Sequence, residues 1–437
     1  MPEGKVFPSE STDDDDDYVE ASSVSFREYP PEKSLDPTRT NPLESETLDF
    51  IEMKHSRKKA LLELLCKVED AIHENRILGD DKPFKFFSNS RQDLKDISIW
   101  GVPLLPSKGH QGTGIVLMKF LKASDFNASG AFNILRRTLQ WRREFNVDGI
   151  LDEKLGSGFE NTAFVNGEDK NGRPVFYNTV VAIKDRDSYK KTLGTEKEGQ
   201  EFLRWKVQSM EKSIEKLQFR SGGVDSILKV IDLKNAPRPA MKELRSLNRK
   251  AGMLVQEHYP GLIFKSVYVN APLSYVVSHA LYTQKYKSSF IFARPSRVTQ
   301  TLLKYIAPEN LPVQYGGLLR ENDNEFSTDD KAITLIFRGA GFQTIQIPLP
   351  EAGVTVVWDL TVVGFEVSYR EEFIPDDDCS YRVLLQDERK MRESARRSFY
   401  IHEPGKIVIT VVNGTAKNKK VFFRHKSKFT PPMYMLK

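Results

Sequence analysis

A chain of 437 residues, 39% of them hydrophobic, is long enough for two or three domains, each burying its own core. Its two cysteines, Cys66 and Cys379, stand far apart and outside any paired motif, which argues against a disulfide framework and for a reducing compartment. No apolar run approaches the roughly 20 residues of a membrane-spanning helix, and neither a signal sequence nor a lipidation motif is visible, so a soluble, cytoplasmic protein is expected.

The net charge of +5 joins two unequal parts. The first 50 residues carry 14 acidic and 4 basic side chains, whereas the rest carry 46 and 61. From Arg389 to Lys437 there are 13 basic residues against 2 acidic ones, a bias that attracts polyanions: nucleic acid, an anionic membrane or an acidic protein. No recognised nucleic-acid module accompanies the charge, so nucleic acid is not expected as a partner.

Residues 1–43, with Asp13 to Asp17 in one run and few large apolar residues, cannot offset the entropy of ordering and read as a disordered acidic tail. A helical segment over 44–82 follows, its helix running from about Glu44 to Arg76 with Leu61, Leu65, Val68 and Ile72 at helical spacing. Ile97, Ile99, Trp100 and Val102 mark a short anchor. Within a helical lobe over 83–150, helices are predicted at about Gly114 to Ala123 and Ala128 to Phe145, the second capped by Asn127 and presenting Phe132, Leu135 and Leu139 on one face.

From Phe164 the pattern alternates. Asn171-Gly172 signals a hairpin between Phe164-Val165 and Val175-Phe176-Tyr177. A helix at about Gly199 to Phe219, a buried strand at Ser226 to Leu233 and a helix at about Pro239 to His258 make strands joined by crossover helices, an α/β domain over 151–322. After Asn322 about eight short β-rich runs divided by Gly, Pro, Asp and Asn predict a β-sandwich over 328–437. Val354 to Trp358 and Leu360 to Tyr369 read as separate strands, and the Asn, Asp and Glu cluster between Glu321 and Lys331 marks the boundary.

The stretch from Tyr259 to Gly317 is the most informative. A β-rich run, Phe264 to Val269, ends in Asn270-Ala271-Pro272, and from Ala271 to Gln284 there is no formal charge. Leu273, Tyr275, Val276, Val277, Ala280 and Leu281 would make this helix apolar nearly all round, so it must be buried. A core helix, an interfacial helix and a lid over an apolar cavity are the alternatives. Lys285, Lys287, Ser288 and Ser289 then supply charge and hydroxyls before a second apolar strand, Phe290 to Ala293. An apolar helix beside cationic groups suits an amphiphile with an anionic head.

This run resembles the C-terminal half of a CRAL-TRIO lipid-binding domain, whose characteristic end is matched by the ten residues from Pro308 to Gly317. Asn171 to Val175 resembles the turn and strand that open that domain, and Leu117 to Ala123 resembles its preceding helical lobe. With the β-rich tail, the order over roughly residues 85 to 437 resembles the patellins, plant proteins that join a CRAL-TRIO unit to a GOLD domain. The resemblance implies an α/β CRAL-TRIO domain with an N-terminal helical lobe, followed by an all-β GOLD-like sandwich. It implies no cofactor, a bound phospholipid or phosphoinositide as ligand, peripheral association with an anionic membrane, and trafficking proteins as partners of the GOLD domain. Membrane trafficking and cell-plate formation during cytokinesis would be the role, at the cell plate or plasma membrane. The alternative is an adaptor whose cavity does not exchange lipid.

On this resemblance the 273–281 helix is a lid that opens at the membrane. Each lipid CH₂ moved out of water is worth about 0.8 kcal/mol, so a closed cavity is needed to compete with a bilayer. Head-group candidates are Lys122, Lys285, Lys287, Ser288 and Ser289. Phosphoinositide-binding relatives carry a lysine just before the Phe290 strand, where this chain has Ser289, and a basic pair after the Phe-Leu of the lobe, where it has Ser124 and Asp125. Lys417, Lys419 and Lys420 cluster near the end, and alternation places Arg424, Lys426 and Lys428 on one side of a strand. A row of like charges is costly unless solvated or matched by an anionic surface, and all six are membrane-facing candidates.

Enzymatic signatures are lacking. Gly109 to Gly114 reads GHQGTG, neither a dinucleotide nor a phosphate loop, and His402-Glu403 is followed by Pro404, which breaks a zinc-binding helix. The seven histidines show no metal-ligand spacing.

Overall fold

The computed structural model describes residues 55–79, 94–155, 163–179, 193–234, 242–273 and 289–430. The acidic tail, the beginning of the helix expected from Glu44, and the lid candidates after Leu273 lie outside them.

Three helices build the N-terminal lobe. Helix α1, His55–His73, buries Leu61, Leu64, Val68 and Ile72, so Leu64 rather than Leu65 completes the apolar stripe. Helix α2, Gln111–Ala123, begins earlier than expected because the His110 imidazole accepts from the Gly112 backbone N–H at 3.0 Å. Helix α3, Ala128–Glu144, is capped by Asn127, whose carboxamide oxygen accepts from the Gly130 N–H at 2.8 Å. A short hairpin, β1 (Ser98–Ile99) and β2 (Val102–Pro103), drives Trp100 into the core, where it stacks on Phe120 and Phe219 at 5.7 and 6.0 Å.

The α/β domain contains β3 (Ala163–Glu168), β4 (Pro174–Thr179), α4 (Glu196–Ile214), β5 (Ile227–Asp232), α5 (Lys242–His258), β6 (Ile263–Val269), β7 (Phe290–Ala293) and the short α6 (Val298–Leu302). The sheet order is β3-β4-β5-β6-β7, with β3 antiparallel and the others parallel. One face buries Val175, Tyr177, Leu228, Val230, Val267, Val269 and Ala293 against α6 and the segment after it. That segment ends in a turn that requires both its glycines. Gly316 has φ +83°, and a Cβ on Gly317 would lie 1.9 Å from the Leu311 carbonyl oxygen.

The C-terminal sandwich is two four-stranded antiparallel sheets. They are formed by β8 (Ile333–Phe337), β9 (Gly341–Leu349), β10 (Val354–Val362), β11 (Ser368–Pro375), β12 (Val383–Lys390), β13 (Ala395–Ile401), β14 (Gly405–Asn413) and β15 (Lys419–Phe429), in the orders β13-β10-β15-β8 and β12-β11-β14-β9. Two expected strands merge here. Asp359 does not interrupt the chain between Trp358 and Leu360, because Trp358 and Leu360 point into the sandwich core while Asp359 points out of the sheet toward arginines on both neighbouring strands. The eighth strand is instead β11, which reaches beyond Tyr369 to Pro375.

Asp359 is fully buried, because the outer face of β13, β10 and β15 lies against residues 316–330. Its carboxylate accepts from Arg396 at 2.7 and 2.8 Å and from Arg424 at 2.9 Å. Asp323 adds 2.6 and 2.7 Å bonds from Arg396. Burial would raise the Asp323 pKa, but Arg396 and the backbone N–H groups of Glu325 and Phe326 hold it down at about 2. Both guanidinium groups also cover the Phe326 ring. The turn carbonyls are taken up in sequence: Gly316 by the Thr361 hydroxyl at 3.2 Å, Gly317 by Ser394 at 2.7 Å, and Leu318 by Arg424 at 3.0 Å.

This corrects the reading of the basic strand. Arg424, Lys426 and Lys428 do share a face, as the register to Asp359, Val357 and Thr355 shows. Arg424, however, is only 4% exposed and cannot face a membrane. Lys426 reaches Asp330 at 3.4 Å and Lys428 pairs with Glu325. The anionic surface that matches the row is this chain's own acidic segment between 323 and 330.

Candidate ligand-binding site

The other face of the α/β sheet is assembled differently. Parallel pairing aligns side chains in rows across the strands, and the first row on this face is Phe176, Lys229, Ser266 and Phe290. The second is Asn178, Ile231, Tyr268 and Phe292. Helix α4 covers the β4 end, where Phe176 joins Val207, Met210 and Ile214 in the core. Toward β7, Ile231, Tyr268, Phe290 and Phe292 are all half-buried. The Tyr268 ring stacks on Phe292 at 5.0 Å and lies 6.1 Å from Phe290, which gives a continuous aromatic wall.

Two lysines enter this apolar setting. Lys206, from α4, is 6% exposed; its ammonium donates to the Asn178 side-chain oxygen at 2.8 Å and sits over the Phe202 ring at 5.1 Å. Burial, reinforced by repulsion from Lys229, lowers its pKa to about 7. Lys229, in the middle of β5, is lowered to about 8 by burial. Lys229 is half-buried. No described carboxylate acts on Lys229. Asp232, further along β5, projects to the opposite face, where it accepts from Tyr315 at 3.1 Å and Asn270 at 2.7 Å. Glu211 of α4 is engaged by Arg142 and the Tyr259 hydroxyl.

The residues singled out from sequence are dispersed. Lys122 is exposed at the end of α2, and Ser289 is half-buried at the entry to β7; no hydrogen bond joins them. Ser124 and Asp125 shape the α2–α3 turn, with the Ser124 hydroxyl on the Leu121 and Asn127 carbonyls and Asp125 at φ 51°. Leu273 is 61% exposed. Tyr275, Val276, Val277, Ala280, Leu281, Lys285, Lys287 and Ser288 lie outside the described residues. Lys419 bonds Glu366 at 2.7 Å, while Lys417 and Lys420 are exposed. Lys206 and Lys229 were missed. The available signal was a lysine inside the otherwise apolar Ile227-Leu228-Lys229-Val230-Ile231, a position where an unmatched charge is costly.

A parallel sheet with one filled face and one lined face, joined to an antiparallel sandwich, defines the class. Residues 159–317 match the CRAL/TRIO domain, and residues 338–420 match the Patellin-1-like, C-terminal GOLD domain. Patellin-4 of Arabidopsis thaliana is 42% identical over 76% of this chain and 62% of its own length, and Patellin-5 is 41% identical over 77% and 52%. Patellin-3 of the same plant is 37% identical over 90% of this chain and 79% of its own length. The chain belongs to the patellin family. It spans only about half to three fifths of Patellin-5 and Patellin-4. Among the described residues no helix is long and apolar enough to cross a membrane, and no group of three His, Cys, Asp or Glu could hold a metal ion.

Proposed function

We propose that the α/β domain holds one phospholipid against the lined face of its sheet and acts as a lipid carrier or sensor at membranes. The observation that carries this reading is the half-buried wall of Ile231, Tyr268, Phe290 and Phe292, set opposite a face that buries Val175, Tyr177, Leu228, Val230, Val267 and Val269. Chains laid on such a wall gain about 25 cal/mol per Å² of apolar surface removed from water. Family membership supports extending the role to membrane trafficking and, more finely, to cell-plate formation.

Peripheral membrane docking fits one end of the sandwich. There the loop after β8 and the loop before β15 are tied together by Ala340 N–H on the Thr415 carbonyl at 2.7 Å and Asn413 on the Arg338 carbonyl at 3.0 Å. Ile336 and Phe342 are 62% and 71% exposed, and Arg338, Lys417 and Lys420 are exposed around them. Apolar side chains ringed by cations suit an anionic leaflet, each cation adding about 1 kcal/mol.

The test is mass spectrometry of lipid extracted from protein purified without detergent, followed by exchange with labelled liposomes. One exchangeable phospholipid per chain is expected. A folded protein that is empty and takes up nothing would overturn the carrier reading in favour of an adaptor. Flotation with anionic vesicles should weaken in Phe342→Asp.

A further inference from the structure

The end of the sandwich that suits an anionic leaflet is drawn from both of its sheets. Ile336 and Lys420 are paired across β8 and β15, whereas Phe342 stands on β9 beside Val412 of β14. Arg338 follows β8, and Lys417 precedes β15. The ladders within each sheet do not set how side chains of the two sheets stand to one another, because strands of separate sheets are not paired.

Asn413 supplies that connection. It is the last residue of β14, opposite Gly341 of β9, and is 1% exposed. Its carboxamide nitrogen donates to the Arg338 carbonyl at 3.0 Å and to the Lys417 carbonyl at 2.9 Å. Its oxygen accepts from the Thr415 N–H at 3.1 Å and from the Thr415 hydroxyl at 2.8 Å. Two donors and two lone pairs are the whole capacity of a carboxamide. The two carbonyls it holds belong to the same residues that carry exposed cations. A carboxylate could donate to neither, and a serine hydroxyl has one proton for two acceptors. The loops also touch directly: the Gly339 N–H donates to the Asn418 side chain at 3.2 Å, and a Cβ on Gly339 would lie 2.3 Å from the Ala416 carbonyl oxygen.

We propose that Asn413 is the positioning residue of the docking surface: from inside the sandwich it fixes Arg338 and Lys417 relative to Phe342, so that cations and apolar side chain meet an anionic leaflet together. This rests on the reading that this end of the sandwich docks on membranes. Loops not held in this way would have to be ordered at the membrane, and the cost of that ordering is subtracted from the binding.

The experiment uses the full chain with Phe342→Trp as a reporter, titrated with vesicles of phosphatidylglycerol and phosphatidylcholine in equal parts, and follows the blue shift of the added indole as it enters the leaflet. Asn413→Ala in that background leaves every charge and every exposed apolar side chain in place. It should nevertheless raise the lipid concentration at half-shift about fivefold, the equivalent of one cation withdrawn from the leaflet. Gly339→Ala, which drives the same loops apart without touching Asn413, should do likewise, and it decides the matter where Asn413→Ala does not fold. A merely structural role would lower the urea midpoint of the variants and leave the half-shift where it was. That result overturns the inference while docking stands. A reporter that never shifts with these vesicles defeats the docking reading instead.

Discussion

Arginine and lysine are placed in two opposite ways in this molecule. On the outer face of the sandwich, half-buried Arg396 and buried Arg424 pair with Asp359 and Asp323, and Lys426 and Lys428 meet Asp330 and Glu325. On the lined face of the α/β sheet, Lys206 lies over the Phe202 ring and Lys229 sits beside Phe176, and burial lowers the pKa of both amines. The matched cations hold two parts of one chain together. The lysines of the lined face sit where burial disfavours their charge. Abundance of basic residues says little about ligands; what separates the two regions is that Arg396 and Arg424 meet carboxylates, whereas burial lowers the pKa of Lys206 and Lys229.

The matched side breaks most severely at Asp359. Asp359→Asn leaves the guanidinium groups of buried Arg424 and half-buried Arg396 under-compensated and should cost about 3–5 kcal/mol, read by urea denaturation. Gly317→Ala should follow at about 3 kcal/mol, because the new methyl meets a backbone oxygen that cannot yield. On the other side the sign reverses. Lys206→Met should stabilise the lipid-free protein on the order of 2 kcal/mol at pH 6.5. The folded pKa of about 7 lies below the ordinary 10.5, so the unfolded chain binds more protons between these values. Wild-type stability from this group rises with pH across that window, the cost being full below about 7, and the advantage of the variant shrinks by pH 9. The smallest effect belongs to the exposed pairs: Lys426→Ala should change stability by less than about 1 kcal/mol, with a further decrease in high salt.

Local features were the most legible in the sequence. Asn127 as a cap, Asn171-Gly172 as a hairpin turn and the apolar run of β5 each depend on neighbours a few positions away, and the structure has them where the residues indicate. The family resemblance brought the two-domain order with it. Asp359 was misread because its effect depends on arginines 37 and 65 positions later, which no window around Trp358 contains. The basic strand shows the same division. Alternation correctly put Arg424, Lys426 and Lys428 on one face, but the acidic residues covering that face lie about a hundred positions earlier, in a segment that composition marked only as a boundary. Lys206 and Lys229 were hidden for a related reason. A helix and a strand bring them together, and the helix by itself gives no sign of which sheet position it will cover.

The grip of Thr361, Ser394 and Arg424 on the Gly316, Gly317 and Leu318 carbonyls also constrains how the protein comes apart. Separating the sandwich would strip three acceptors of their donors at the very end of the α/β domain and uncover Asp359 with its arginines. Neither half has a finished surface there, so the two should melt in one cooperative transition. For the same reason, swapping the sandwich for that of a relative would work only where the threonine, the serine and the arginine accompany the paired glycines they hold.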